Sequence, residues 1–295
     1  MRHWYDFCQN GSVPDSVTRE KPIIAIYGPF QTGKSTLLNC LLGRYTALTG
    51  KGLATTALTA RCRWGSTPLL RYRDLSGDLL PATIEQIHSP DFLKKVMQNH
   101  GFHIEANAPA ELLRHCQIVD TPGFNACSAD TSAALSVLDE IHYVLFVVPN
   151  RGFSQAEKQL LRELARREIP VTVLMNCTQG RREERWIPNH AINREILEEN
   201  ESWLRSEQIP VHPINGQLIY PCNFLFYWSQ QPDFTESIPY IDRPDTVQKH
   251  IRELLWEEGF SETPESIISL SGVPQLKEWL LQKIQGYDPI LHRWR

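Results

Sequence analysis

Residues 28–35 have the types and spacing needed to bind the phosphates of a nucleotide. They read Gly-Pro-Phe-Gln-Thr-Gly-Lys-Ser, which matches the G-x-x-x-x-G-K-[ST] pattern of a phosphate-binding loop. The two glycines let consecutive backbone N–H groups face inward, and a following helix would add its positive end, so the segment can bind an anion. In such loops the lysine contacts the β- and γ-phosphates and the serine coordinates Mg²⁺. The sequence therefore predicts a nucleoside triphosphate site that includes Gly28, Pro29, Phe30, Gln31, Thr32, Gly33, Lys34, Ser35 and Thr36.

A second pattern, Asp-Thr-Pro-Gly at residues 120–123, ends the apolar run that begins at residue 116. A carboxylate at the end of a strand can hold Mg²⁺ through water, so we assign Asp120 to the metal site together with Ser35. Gly123 has no Cβ, so its backbone N–H can approach a γ-phosphate and sense whether that phosphate is present.

The loop between these patterns contains two threonines that could complete the site. Thr55 and Thr56 follow glycines at 50 and 52 in a stretch with few apolar residues. A threonine here can offer its hydroxyl to Mg²⁺ and its carbonyl to an attacking water. We assign this role to Thr55 in preference to Thr56, with an ordinary polar loop as the alternative.

Alternating strands and helices are predicted to position these residues. Apolar runs predict strands at 21–27, 116–120, 143–148, 170–175 and 210–214, and periodic apolar residues predict helices at 36–42, 155–166, 192–204, 247–255 and 273–284. Ser154 and Glu157 form a capping box for one helix. Residues 58–64 and 69–73 are predicted to pair as an antiparallel hairpin across the turn 65–68. The alternation implies a mostly parallel sheet covered on both faces.

Composition and charge indicate where the protein works and which class of ligand they argue against. The chain has 295 residues and a net charge of −4, which argues against a general nucleic-acid binder. Its seven cysteines include no C-x-x-C pair, which is typical of a reducing compartment. No segment has the pattern of a signal peptide or of a membrane-spanning helix. We therefore expect a cytoplasmic protein, and contact with a membrane surface stays open.

Residues 28–43, 52–56 and 108–124 resemble the first three guanine-nucleotide motifs of the dynamin-like GTPases, bacterial members especially. Residues 143–166 continue the likeness, as does Ser-Gly-Val-Pro-Gln-Leu at 271–276. The resemblance implies a three-layer α/β P-loop GTPase with an insertion before the Asp-Thr-Pro-Gly strand and a C-terminal helical extension. Its domains would be a lead-in over 1–20, a G domain over 21–285 with the insertion at about 75–108, and a tail over 286–295.

The fourth guanine motif departs from the family. Where N/T-K-x-D is expected, the chain has Asn-Cys-Thr-Gln at residues 176–179. Asn176 matches and could tie the base loop to the phosphate loop. Gln179 replaces the aspartate that accepts from guanine N1–H and the 2-amino group, and its amide NH₂ would face a donor. Altered guanine specificity, loss of useful nucleotide binding, and adenine or relaxed specificity all remain open. Asn215 is the candidate for the fifth motif.

The resemblance also implies an activity and partners. The ligands would be GTP, GDP and Mg²⁺, and GTP hydrolysis would be slow unless two G domains dimerise. Phe124 stands where small GTPases have a water-orienting glutamine, and Gln31 could orient the water or bond the loop backbone. The sequence has no room for the helical stalk of dynamins, so we expect a partner chain to supply it or the function to differ. The alternatives are an interaction module without significant turnover, and an ATPase.

Overall fold

A computed structural model describes the chain over residues 21–30, 32–43, 58–83, 103–123, 137–176, 191–209, 218–219, 263–288 and 293–294, and at positions 86, 89, 91, 92, 96, 256, 259 and 261. Its strands are β1 (Ile23–Tyr27), β2 (Ala60–Trp64), β3 (Leu69–Arg73), β4 (Leu79–Pro81), β5 (Ile104–Ala108), β6 (Gln117–Asp120), β7 (Tyr143–Pro149), β8 (Val171–Asn176), β9 (Leu218–Ile219), β10 (Tyr287–Asp288) and β11 (Arg293–Trp294). Its helices are α1 (Lys34–Leu42), α2 (Gln155–Arg166), α3 (Ala191–Ser206), α4 (Pro264–Leu270) and α5 (Val273–Gln285).

In the described part of the chain, nine strands form one sheet in the order β4-β3-β5-β2-β6-β1-β7-β8-β9. The run from β6 through β1, β7 and β8 to β9 is parallel. β2 is antiparallel to β6, and β3 is antiparallel to both of its neighbours. The prediction of a mostly parallel α/β sheet is therefore confirmed. Parallel strands bring their carboxyl ends to one edge, so residues 28–30, 32–35, 120–123 and 176 meet there.

Two hydrophobic clusters cover opposite faces of the sheet, which gives three layers. One cluster joins α1 and α5 to the first face, where Leu37, Leu41 and Leu276 are at most 1% exposed. The other cluster joins α2 and α3 to the second face through side chains such as Leu161 and Leu204. Nearly every described side chain of α1 is buried, although its sequence indicates apolar residues on one side only. The phosphate loop is thus held between a central strand and a helix enclosed by the core.

The predicted hairpin of residues 58–64 and 69–73 is wrong. β5 lies between β2 and β3, pairing parallel with β2 and antiparallel with β3. Residues 104–108, which the sequence places in an outer insertion, are therefore inside the sheet, and Ile104 is fully buried. Physically, β5 gains two neighbours, β2 and β3, when it lies between them, so its backbone groups are hydrogen-bonded on both sides.

The helix ends follow the sequence closely. Ser154 Oγ accepts from the Glu157 N–H at 3.4 Å, and the Glu157 carboxylate accepts from the Ser154 N–H, as the capping box predicts. Gly43 ends α1 at a φ of 68°. α4 was not predicted, and it begins after Thr263, whose Oγ1 accepts from the Ser266 N–H at 3.3 Å. The strand at 210–214 and the helix at 247–255 lie outside the described residues. Among the described helices, none is both long enough and apolar enough to cross a bilayer.

Candidate functional site

The phosphate loop leaves β1 through a glycine that no other residue could replace without strain. Gly28 has a φ of +154°, and a Cβ there would collide with the carbonyl oxygen of Val147 on β7. Gly33 has a φ of +84°, and a Cβ there would collide with the side-chain nitrogen of Asn176. Both positions combine a backbone conformation that glycine favours with a close approach of a neighbouring strand. The loop is therefore fixed between β7 and β8 before it enters α1.

Lys34 is buried at the base of this loop. Its ammonium donates to the Pro29 carbonyl oxygen at 2.8 Å, and the residue is 3% exposed. The Thr32 hydroxyl donates to the same carbonyl at 2.9 Å. Removal from water lowers the pKa of Lys34 to about 8, although the negative charge of Asp120 acts in the opposite direction. A nearby anion would stabilise the charged form of this lysine.

Ser35 and Asp120 lie side by side across the start of α1 and the end of β6. The Ser35 hydroxyl donates to Asp120 Oδ2 at 2.5 Å. Burial raises the pKa of Asp120 to about 6, although the Ser35 hydrogen bond and the charge of Lys34 lower it. Asp120 Oδ1 is buried, and no described residue donates a hydrogen bond to it.

These two side chains fit a magnesium site. Mg²⁺ is commonly bound by one or two carboxylates together with substrate phosphates, rather than by a cage of protein ligands. The described residues contain no group of three His, Cys, Asp or Glu side chains placed to hold a metal ion. A cation next to Asp120 Oδ1 would supply the positive charge that compensates the negative charge of this buried carboxylate.

Asn176, at the end of β8, holds the phosphate loop from the side. Its Nδ2 donates to the Thr32 carbonyl oxygen at 2.7 Å, and the residue is 1% exposed. The contact that the sequence predicts between the fourth motif and the phosphate loop is therefore present. It fixes the loop by a buried bond between segments 144 residues apart.

Gly123 lies against the backbone of the phosphate loop. A Cβ on Gly123 would be 2.5 Å from the Phe30 Cα, far inside normal contact distance. The preceding Thr121 is held in turn, because its hydroxyl donates to the Ile26 carbonyl at 2.8 Å. The backbones at Gly123 and Phe30 are therefore too close for any side chain at position 123.

The structure brings together most of the predicted site residues at one edge of the sheet: Gly28, Pro29, Phe30, Thr32, Gly33, Lys34, Ser35, Thr36, Asp120, Gly123 and Asn176. Gln31, Thr55, Thr56, Gln179 and Asn215 lie outside the described residues. Sequence reasoning missed the bond from Thr32 to Pro29, the bond from Thr121 to Ile26 and the role of Val147. The threonines stand in recognisable motifs, but no sequence signal marks Val147, because its contact uses only the backbone.

The sequence matches the family model of the 50S ribosome-binding GTPases over residues 23–177, which is 155 of its 295 residues. It is 34% identical over 144 residues to Dynamin-like protein 2 of Campylobacter jejuni, an alignment that covers 48% of this chain and 23% of that protein. It is 36% identical over 78 residues to the GTPase Der of Ruegeria pomeroyi, covering 25% and 16% of the two chains.

Solved structures of related architecture are more distant. The structure of an oligomerised bacterial dynamin pair has a TM-score of 0.47 at 19% identity and covers 81% of this chain and 37% of that one. Era from Aquifex aeolicus has a TM-score of 0.40 at 17% identity and covers 68% and 52%. The chain thus spans less than a quarter of the curated relatives described above.

Proposed function

Because this chain belongs to the family of 50S ribosome-binding GTPases and is a dynamin-like P-loop GTPase, we propose that it binds GTP with Mg²⁺ and hydrolyses it to GDP and phosphate. We further propose that turnover is slow in the monomer and rises when two G domains dimerise around the nucleotide. The observation that supports this function most directly is the cluster of Lys34, Ser35 and Asp120 at the start of α1 and the end of β6, in which Lys34 and Asp120 are buried.

The phosphates would bind where the loop turns its N–H groups inward at the start of α1. Lys34 would exchange its contact with the Pro29 carbonyl for the β- and γ-phosphate oxygens. This exchange replaces a neutral acceptor by a charged one, so the interaction becomes stronger. Phosphate binding would also raise the pKa of Lys34 from about 8, because the added negative charge favours the ammonium.

Ser35, Asp120 and Thr55 would hold the metal ion. When bound, Mg²⁺ neutralises charge that develops on the phosphate oxygens. The Ser35 hydroxyl would rotate away from Asp120 Oδ2 to offer a lone pair, and Asp120 would accept from metal-bound water. Gly123 would donate its N–H to the γ-phosphate, and its contact with Phe30 would relay the loss of that phosphate to the residues that follow.

For hydrolysis, a residue must hold a water molecule in position to attack the γ-phosphate, and we assign this role to none of the described residues. Gln31 is our candidate, either as the residue that orients the water or as a bond to the loop backbone. The Thr55 carbonyl would accept from the same water. A dimer partner would improve this positioning and exclude bulk water, which strengthens the electrostatic contributions.

Base recognition would involve Asn176, Gln179 and Asn215. Asn176 fixes the end of β8 to the phosphate loop, and the residues that follow it would lie beside the base. Replacement of an aspartate by Gln179 costs about 1.5–3 kcal/mol of charge-assisted hydrogen bonding to guanine. We therefore expect GTP to bind more weakly than in family members with the aspartate, and an ATPase is the alternative. The cytoplasmic location and contact with a partner chain or membrane surface stay predictions.

The second candidate function is a nucleotide-dependent interaction module without significant turnover. It is favoured by Phe124, which replaces the glutamine that activates water in small GTPases. The Gly123–Phe30 contact could still report the bound nucleotide to a partner.

The test measures GTP hydrolysis at rising protein concentrations, together with calorimetric titrations of non-hydrolysable GTP and ATP analogues with Mg²⁺. GTP preference with turnover per molecule that rises with concentration is the expected result. Lys34→Ala should abolish binding, whereas the matched control Lys158→Ala on the surface of α2 should not. Retained GTP binding with flat, negligible turnover would favour the interaction module. ATP preference, or binding of neither analogue, would overturn the GTPase assignment.

A further inference from the structure

Four arginines lie on one face of the sheet, on the strands between β4 and β6. Arg61 and Arg63 belong to β2, and Arg71 and Arg73 belong to β3. β5 lies between these strands, and its Glu105 stands directly opposite both Arg61 and Arg71 in the register. Residues opposite each other in a sheet share a face, and side chains two apart on a strand share it too. We call these four arginines the arginine face.

Among the described residues, the arginine face has more cations than carboxylates. Glu105 is 4% exposed and receives three guanidiniums, with N–O distances of 3.4 Å to Arg63, 3.8 Å to Arg71 and 3.6 Å to Arg73. Arg61 pairs with Glu140 at 3.4 Å. In the described part of the chain, four cations thus face two carboxylates, whereas the net charge of the whole sequence is −4. Arg71 Nε is buried and has no acceptor among the described residues.

Solvent reaches the arginines that surround Glu105. Their side chains are 39%, 30% and 33% exposed for Arg63, Arg71 and Arg73. Leu69 occupies the same face of β3 as Arg71 and is 43% exposed. The two arginine rows are two strand spacings apart, about 10 Å, with Glu105 and Asn107 of β5 between them. An extended chain laid along β5 would lie between the two rows.

We propose that the arginine face docks an extended acidic segment of a partner protein, with carboxylates that pair with the two arginine rows and an apolar side chain against Leu69. Arginine presents several donors in a planar fork that matches a carboxylate, and arginine is enriched at protein interfaces. A single-stranded nucleic acid would need aromatic rings for its bases to stack on. The nearby aromatic residues Trp64 and Tyr72 lie on the opposite face, where Arg114 covers Trp64 and Phe92 packs on Tyr72.

A membrane surface fits this face less well than a peptide does. Basic residues that bind lipid headgroups project freely and are commonly accompanied by interfacial tryptophan. Hydrogen bonds instead hold guanidiniums of the arginine face: Arg61 Nε donates to Gln117 Oε1 at 2.6 Å, and Arg73 Nη1 donates to the Gly77 carbonyl at 2.6 Å. Fixed guanidiniums suit a partner that is itself extended and regularly spaced.

The experiment titrates poly-L-glutamate into the full chain at low salt, with oligo-uridine and phosphatidylserine vesicles titrated in parallel. The variant is Arg63→Gln with Arg73→Gln. Its matched control is Arg162→Gln with Arg166→Gln, which removes two exposed arginines of α2 that pair with Glu207 and Glu163. We expect the first variant to bind poly-L-glutamate about five- to tenfold more weakly, from two lost charge pairs, and the control to bind as the natural chain does.

The remaining outcomes overturn the proposal. They are no binding of poly-L-glutamate at low salt, equal losses in both double variants, and tighter binding of oligo-uridine or vesicles than of poly-L-glutamate. Arg63→Gln alone serves if the double variant fails to fold, because Arg63 is the most exposed of the three arginines around Glu105. Thermal melting of each variant separates a loss of binding from a loss of structure.

Discussion

Replacement of Asn176 by alanine tests whether the phosphate loop depends on its bond to β8. The side chain donates one buried hydrogen bond, from Nδ2 to the Thr32 carbonyl oxygen at 2.7 Å. Alanine removes the donor but leaves the carbonyl inside the protein. The cost is then the desolvation penalty of an unsatisfied acceptor, about 1–3 kcal/mol.

This cost should appear in both stability and binding. About 1–3 kcal/mol lowers the melting temperature of a domain of this size by roughly 2–10 °C. If the same free energy holds the loop in its binding conformation, the affinity for a GTP analogue should fall roughly 5- to 150-fold. Asn176→Ala also opens space beside Gly33. The collision of a Cβ at position 33 with Asn176 is then removed, and only the φ of +84° still favours glycine there.

The assay pairs thermal denaturation with calorimetric titration of the GTP analogue. The control is Asn200→Ala, since Asn200 is also buried, accepting from the Phe153 N–H at 3.0 Å and donating to the Arg151 carbonyl at 3.1 Å. It should lower stability to a similar extent and leave the affinity unchanged. An Asn176→Ala protein that melts early yet binds the analogue with full affinity would refute the reasoning, as would equal losses of affinity in both variants.

Three further predictions follow from the backbone and from buried charge. Gly28→Ala should destabilise the fold by more than about 2 kcal/mol, because the new Cβ meets the Val147 carbonyl. Gly77→Ala, whose Cβ has nothing within 4 Å, should cost only the φ strain of about 1 kcal/mol. Urea denaturation measures both costs, and equal costs would contradict the clash. Glu168→Gly should stabilise by about 0.5–1 kcal/mol in the same assay, because Glu168 is exposed at a φ of 56°; a helical control, Arg205→Gly, should destabilise instead. Without Mg²⁺ and nucleotide, burial raises the pKa of Asp120 from 3.8 to about 6, so the carboxyl binds a proton more readily in the folded state than in the unfolded state. The free energy of unfolding should therefore fall as pH rises through that window. Asp120→Asn should flatten this dependence on pH, and an unchanged dependence would contradict the prediction.

The parts of the site that could be predicted from sequence are those specified by local pattern. Strand, loop and α1 are contiguous, and Gly28, Gly33 and Lys34 occupy fixed positions within the motif. The contact of Asn176 with the loop is long-range, yet it was accessible because the fourth motif fixes the position of Asn176 relative to the fold.

The failure at β5 has a physical cause. Its residues Ile-Glu-Ala-Asn-Ala contain only one strong strand former, so the local signal is weak. The turn residues Gly65 and Pro68, in contrast, are a strong local signal for a hairpin. Pairing with β2 and β3 overrides both, because β5 buries Ile104 and Ala106 and supplies hydrogen bonds to two neighbours. Such pairing is decided by tertiary packing, which no short window of sequence contains.

The bond between Asn176 and Thr32 also sets an order of events during biosynthesis. The phosphate loop leaves the ribosome early, but Asn176, which donates the hydrogen bond to Thr32, is 144 residues further along the chain. At a synthesis rate of about 5–20 residues per second, roughly 7 to 30 seconds pass between the synthesis of the loop and the synthesis of Asn176. Until β8 has been synthesised, the loop lacks the buried hydrogen bond that holds Thr32. The phosphate loop can therefore reach its fully supported conformation only late in synthesis.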